Sequence, residues 1–92
     1  GPDRAFLFRL PAGRVVAAAE SLNEFRAAVA SVEEEVLAHH CRRGDVSRWV
    51  EHVFSDGILA TLLRKVEARW ARGEIGDLAR AVTAPIELRY GP

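Results

Sequence analysis

The longest apolar stripe in the sequence lies between residues 58 and 70, and its members recur at a spacing of three and four positions. That spacing places the side chains on one side of an α-helix, which has about 3.6 residues per turn. Asp56 precedes the stripe as a suitable N-cap, and Gly73 follows it as a suitable stop. The segment therefore predicts a helix that must pack against others through Ile58, Leu59, Leu62, Leu63, Val66 and Trp70.

Two earlier helices are predicted by their start signals. Ser21 and Glu24 have the Ser-x-x-Glu spacing of a capping box, in which each side chain bonds a free backbone amide of the first turn. Ser31 and Glu34 repeat that spacing, so we expect Ser31 to cap a second helix. Three consecutive glutamates at positions 33–35 would lie in its first turn, where the helix dipole favours negative charge.

Two further boundaries follow from glycine, aspartate and proline. Gly44 can end the second helix by adopting positive φ, and Asp45 can cap a third one that begins at once. We expect a short fifth helix to stop before Pro85, because proline disfavours helical backbone in the residue before it. The apolar spacing predicts a buried core that includes Trp49, Val53, Leu59, Leu62, Leu63 and Val66.

Both ends of the sequence alternate between apolar and polar residues. Residues 6–10 read FLFRL and residues 86–90 read IELRY, and such alternation is typical of strands. The predicted fold class is mainly α, a small bundle of four to five short helices with a short strand at each terminus. Pairing of those two strands as a two-stranded sheet would satisfy their backbone groups.

The length of 92 residues is that of one small domain. Thirteen basic and thirteen acidic residues balance, so no basic lobe favours nucleic acid, and no apolar run is long enough to span a membrane. We interpret Gly1 and Pro2 as a tag remnant and residues 3–92 as one helical domain cut from a longer protein. A single cysteine, Cys41, and abundant alanine and arginine indicate a bacterial cytoplasmic origin.

The segment HHCRRGDVSRWV, residues 39–50, concentrates the reactive side chains. His39, His40, Cys41 and the nearby His52 match no established spacing for a metal site, so we expect no metal or other cofactor. Cys41 lies on the predicted inward stripe, which argues against a nucleophilic thiol. No glycine-rich phosphate loop or GxSxG motif is present. We therefore predict no catalytic residues in this chain.

Two further interpretations of the segment are weak. The second and third helices have the outline of a helix-turn-helix, but Glu51 on the outer face and the neutral net charge argue against DNA binding. The Arg43-Gly44-Asp45 tripeptide is explained by helix termination and capping without an adhesion role. An exposed rim of Arg42, Arg43, Arg48 and His52, near His39, remains the candidate binding surface, since arginine is enriched at interfaces.

Three motifs together resemble a prokaryotic domain-of-unknown-function family. They are SLNEF, the H-x-x-R-G-D-V-S-x-W-V stretch, and D-x-x-L-A, and the family has phenylalanine where this chain has Val46. The resemblance implies a small helical module, alone or attached to other domains, without assigned catalytic residues. It implies that His40, Arg43, Asp45 and Trp49 act as a unit. The other motif residues are Gly44, Ser47 and Asp56.

We therefore expect a non-catalytic interaction or regulatory module whose partner is another protein or another domain of the same chain. The alternative is a small module that binds a ligand or nucleic acid through the Arg/His rim. An enzyme, or a subunit that completes another active site, is a third possibility. The oligomeric state does not follow from the sequence.

Overall fold

The chain forms a β-hairpin followed by helices in a computed structural model, which describes residues 4–92. The suggested tag remnant at Gly1 and Pro2, and the expected domain start at residue 3, lie outside these residues. The fold class is mainly α, as predicted. The elements are β1 Phe6–Arg9, β2 Val15–Ala19, α1 Leu22–Ser31, α2 Glu34–Arg43, α3 Asp45–Phe54, α4 Gly57–Ala71 and α5 Leu78–Tyr90.

The two-stranded sheet is an N-terminal hairpin and does not join the two termini. β1 pairs antiparallel with β2, with Phe6 opposite Ala19 and one residue of irregularity between Phe8 and Arg9. The turn closes where Gly13, at φ 111°, donates its amide to the Leu10 carbonyl over 2.8 Å. A strand that is nearby in the sequence can pair at a smaller loop-closure cost than a strand at the C-terminus.

The predicted C-terminal strand and the predicted helix end before Pro85 are both wrong. Asp77 caps α5 by accepting from the Arg80 amide at 3.1 Å, and the helix continues through Pro85 to Tyr90. Proline removes one helical hydrogen bond, but Ile86 on the far side of it is only 1% exposed. Leu78, Val82 and Ile86 form one buried stripe, and its burial outweighs the local cost of the proline.

One of the two predicted capping boxes is present. The Glu24 amide donates to Ser21 Oγ at 3.1 Å, and the Glu24 carboxylate accepts from the Glu20 amide at 2.9 Å. The prediction that Ser31 caps α2 is wrong. Ser31 is the last residue of α1 and donates its hydroxyl to the Ala28 carbonyl, while α2 begins at Glu34 without a side-chain cap.

The core lies between the inner face of the hairpin and the helices. Phe6 and Phe8 of β1 contact Phe25 of α1 with ring centroids 5.2 and 5.4 Å away, and Trp49 of α3 contacts Phe25 at 5.3 Å. The predicted burial of Trp49, Leu59 and Leu63 is confirmed, whereas Val53, Leu62 and Val66 are half-buried. Within the described residues, no helix has both the length and the apolar character to cross a bilayer.

Candidate functional site

Gly44 is the residue between α2 and α3 at which the chain changes direction. It has φ 72° and ψ 21°, the left-handed conformation predicted for it, and its amide donates to the Cys41 carbonyl. Such a conformation is costly for a residue with a Cβ atom. α3 begins at the next residue, Asp45, so the corner holds the end of one helix directly against the start of another.

Asp45 does not cap α3, contrary to the prediction. It is the first residue inside the helix, and its side chain makes no cap bond. Glu67 of α4 provides the cap from another helix: its carboxylate accepts from the Ser47 amide at 3.1 Å and from the Ser47 hydroxyl at 2.6 Å. Burial raises the pKa of Glu67, and the bonds from Ser47 oppose that shift.

The Asp45 carboxylate is instead the centre of a polar cluster. It accepts from His40 Nδ1 at 2.8 Å, from Arg43 Nε at 3.0 Å, and from Arg48 Nη2. Burial alone would raise the pKa of Asp45, but the bonds from His40 and Arg43 outweigh it and hold the pKa below its usual value. The bond between His40 and Asp45 therefore spans the corner and joins α2 to α3.

His40 joins three elements through its two ring nitrogens. Its Nε2 accepts a hydrogen bond of 2.9 Å from the Arg9 amide of β1, so the ring proton must reside on Nδ1, which faces Asp45. Burial lowers the pKa of His40 below 6.5, although Asp45 acts in the opposite direction. The side chain is a neutral imidazole that ties β1 and α2 to α3, and neither nitrogen is free to move a proton.

Cys41 is buried one residue further along α2. Burial raises the pKa of its thiol to about 12, and the nearby Glu67 carboxylate adds to the shift. A thiol is a weak nucleophile until it loses its proton. Cys41 is thus a packing residue at neutral pH.

A cleft of about 540 Å³ opens between β1 and the α2–α3 corner. Its apolar lining includes Leu7 and Leu10 from the hairpin and Trp49 and Val53 from α3. Among the described residues, Asp45 is the single acidic side chain in its lining. The lining also contains three arginines and three histidines, which are Arg9, Arg43, Arg48, His39, His40 and His52.

Three of the four predicted rim residues line this cleft. Arg43 and Arg48 are 61% and 54% exposed at their side chains, and His52 is exposed beside them. Arg42 is exposed but does not line the cleft. Arg9 was missed as a site residue, because the alternation along β1 showed only that it faces away from the core.

The remaining motif residues make contacts that hold the fold together. Ser47 is buried against Glu67, and the Trp49 indole donates to the Arg4 carbonyl at 2.8 Å. Asp56 lies apart from the cleft, at the start of α4, where it accepts from the Leu59 amide at 3.0 Å as predicted.

Asp56 also connects α4 to the end of α5. Its carboxylate accepts from Arg89 Nε at 2.6 Å and from the Tyr90 hydroxyl. Burial would raise the pKa of Asp56, but the Leu59 amide, the Tyr90 hydroxyl and the Arg89 guanidinium together lower it to about 2. The residue is a structural anchor for both helices.

Comparison with protein-family models, with curated proteins and with solved structures finds no match to this chain. The resemblance to a family of unknown function therefore stays a hypothesis. Across residues 4–92, no group of three or more histidine, cysteine, aspartate or glutamate side chains is arranged to hold a metal ion.

Proposed function

We propose that this chain is a non-catalytic interaction module that binds an acidic group of a partner protein, or of another domain, in the cleft between β1 and the α2–α3 corner. One observation carries the proposal. Three arginines line the cleft against one carboxylate, so its lining keeps an excess of positive charge after Asp45 is satisfied. Guanidinium groups suit this role because they make paired bonds to carboxylates.

Three side chains at or beside the cleft that could take part in chemistry, His40, Asp45 and Cys41, already have other roles. His40 uses both nitrogens within the fold, and Asp45 accepts three bonds. Cys41 is buried as a protonated thiol. A general base or nucleophile needs a free, reactive atom facing a substrate. This arrangement favours binding over catalysis.

A protein partner fits the cleft better than nucleic acid does. On the outer face of α3, Glu51 is paired with Arg64, and Ser47 is buried. Recognition of DNA by a helix requires polar side chains free to reach base edges and several phosphate contacts. The arginines of the site lie in one concave region that also has apolar lining residues, as is typical of a binding pocket for a side chain or short segment.

The test is an NMR titration of the ¹⁵N-labelled domain with a panel of short blocked peptides. The panel consists of hexapeptides in which glutamate alternates with valine, leucine, serine or phenylalanine, with matched glutamine and lysine versions. We expect glutamate peptides to shift the amide signals of the cleft, and higher salt to weaken the binding. The glutamine and lysine versions should have little effect.

Variants locate the binding site. Arg43→Gln and Arg48→Gln should each weaken the binding of the glutamate peptides, and the double variant should weaken it further. Arg80→Gln is the matched control, because Arg80 is exposed on α5 and does not line the cleft. Equal binding of the glutamate and glutamine panels, or equal losses in Arg80→Gln and Arg48→Gln, would overturn the proposal.

A further inference from the structure

Two observed bonds show which residues of β1 direct their backbone groups toward β2 and which direct them away from it. The Leu10 amide donates to the Arg14 carbonyl across the hairpin at 2.9 Å, so Leu10 faces the second strand. The Arg9 amide donates the other way, to His40 Nε2. The irregularity between Phe8 and Arg9 places its extra residue, Val16, in β2, so the alternation of β1 is not interrupted. Because backbone groups of successive residues in a strand point to opposite edges, the N–H and C=O of Leu7 point to the same edge as the Arg9 amide, away from β2.

The outer edge of β1 is bonded at Arg9 and open at Leu7, and the residue Arg4 just before the strand is bonded as well. The Arg9 amide donates a hydrogen bond to His40, and the Trp49 indole donates one to the Arg4 carbonyl. Within residues 4–92, β1 pairs with no strand other than β2, no turn, loop or cap bond reaches the N–H or C=O of Leu7, and the side-chain bonds from the corner go to Arg9 and Arg4 instead. Leu7 lines the cleft, so one unpaired donor and one unpaired acceptor belong to its wall.

An unpaired strand edge is a template for another extended backbone. From this edge and the arginines that share its cleft, we infer that the module binds an acidic segment of its partner as an added strand beside β1. The inference rests on the proposed function and specifies the conformation of the partner. The segment exchanges two backbone bonds with Leu7, and its carboxylates contact Arg43 or Arg48.

An extended acidic segment suits the cleft through its alternating side chains and through its charge. A strand presents successive side chains to opposite faces, so a sequence that alternates glutamate with an apolar residue offers one set to the arginines and the other to Trp49 and Val53. Charge complementarity selects an acidic segment over a neutral or basic one.

A second copy of this chain is a poor occupant of the same edge. Paired strands lie about 4.8 Å apart. The β1 edge of any other copy would carry its own α2–α3 corner, held there by the bond between His40 and the Arg9 amide. Two recessed edges of this kind cannot approach each other to pairing distance, whereas an unencumbered peptide can.

The experiment removes the Leu7 amide without removing the arginines. Leu7→Pro deletes the N–H, and proline is tolerated where a strand amide faces away from its partner strand. Leu7→Ala is the matched control, since it shortens the side chain and keeps the amide. We expect Leu7→Pro to weaken binding of the glutamate–valine hexapeptide about five- to tenfold, the loss of one hydrogen bond, and Leu7→Ala to change it less than about threefold.

A second measurement keeps the test independent of how Leu7→Pro folds. The glutamate–valine hexapeptide is N-methylated at one backbone position at a time and titrated into the unaltered domain. We expect loss of binding at alternate positions, and slower hydrogen exchange of the Leu7 amide when the unmodified peptide is bound. Undiminished binding at every methylated position would overturn strand addition and leave the proposed function standing, whereas failure of the whole glutamate panel would overturn the function itself.

Discussion

Glu67 accepts hydrogen bonds of 2.6 Å from the Ser47 hydroxyl and 3.1 Å from the Ser47 amide, so α4 caps the first turn of α3 from 20 positions further along the chain. Both residues are buried. The first amides of a helix have no partner within it, and a buried amide without one is costly. This one carboxylate therefore supports the corner that carries Arg43 and Arg48.

Replacing Glu67 tests that cap. Glu67→Ala leaves the amide and hydroxyl of Ser47 buried without an acceptor, which should cost about 1–3 kcal/mol of unfolding free energy. Glu67→Gln retains an acceptor and should cost less. Urea denaturation measures both, with Glu51→Ala as an exposed control whose ion pair contributes at most about 1 kcal/mol. Equal midpoints for the Glu67→Ala and control variants would contradict the cap.

His40 makes stability depend on pH near neutrality. Burial holds its folded pKa below 6.5, so the unfolded chain takes up a proton more readily than the folded one. Stability is then fully present above the unfolded pKa and falls as the pH drops below about 6.5. His40→Gln should flatten this slope in urea denaturation between about pH 5 and pH 7, whereas His52→Gln should leave it in place. A slope unchanged by His40→Gln would show that another group is responsible.

Trp49 should contribute a large part of the stability of this small domain. It is 8% exposed, packs against Phe25 and Phe54, and donates to the Arg4 carbonyl. Trp49→Ala should cost about 3–5 kcal/mol, out of a total on the order of 5–15 kcal/mol for a domain. Trp49→Phe keeps an aromatic ring and loses the indole bond, so it should cost less. An unchanged urea midpoint for Trp49→Ala would assign the side chain to binding.

Asp56 should govern stability in acid. Its pKa of about 2 lies below the usual 3.8, so its contribution is present above about pH 4 and is lost as the pH falls toward 2. Asp56→Asn should lower stability at neutral pH, because it weakens the contact with Arg89, and should reduce the acid-induced loss. Thermal unfolding from about pH 2 to pH 7 checks this, with Asp77→Asn, a cap without a second ion pair, as the comparison. If the stability of Asp56→Asn and of Asp77→Asn changed with pH in the same way, Asp56 would not be the group that governs stability in acid.

The features that the sequence determined by itself are those that depend only on residues three or four positions apart. The Ser21–Glu24 cap, the left-handed Gly44, the Asp56 cap and the apolar stripe of α4 follow from local backbone chemistry and helical spacing. Each of these choices concerns neighbours that are close in space in any fold containing the helix. Pattern alone is then sufficient.

Only the tertiary structure decided the contacts that join distant segments. It selected β2 as the partner of β1, carried α5 through Pro85, assigned Glu67 to Ser47, and brought Arg9 into the same cleft as Arg48. In each case a local preference competed with burial or hydrogen bonding across a long separation in sequence. The outcome depends on which groups the packed helices place together, because a buried polar group takes the nearest partner in space, as Asp45 does with His40.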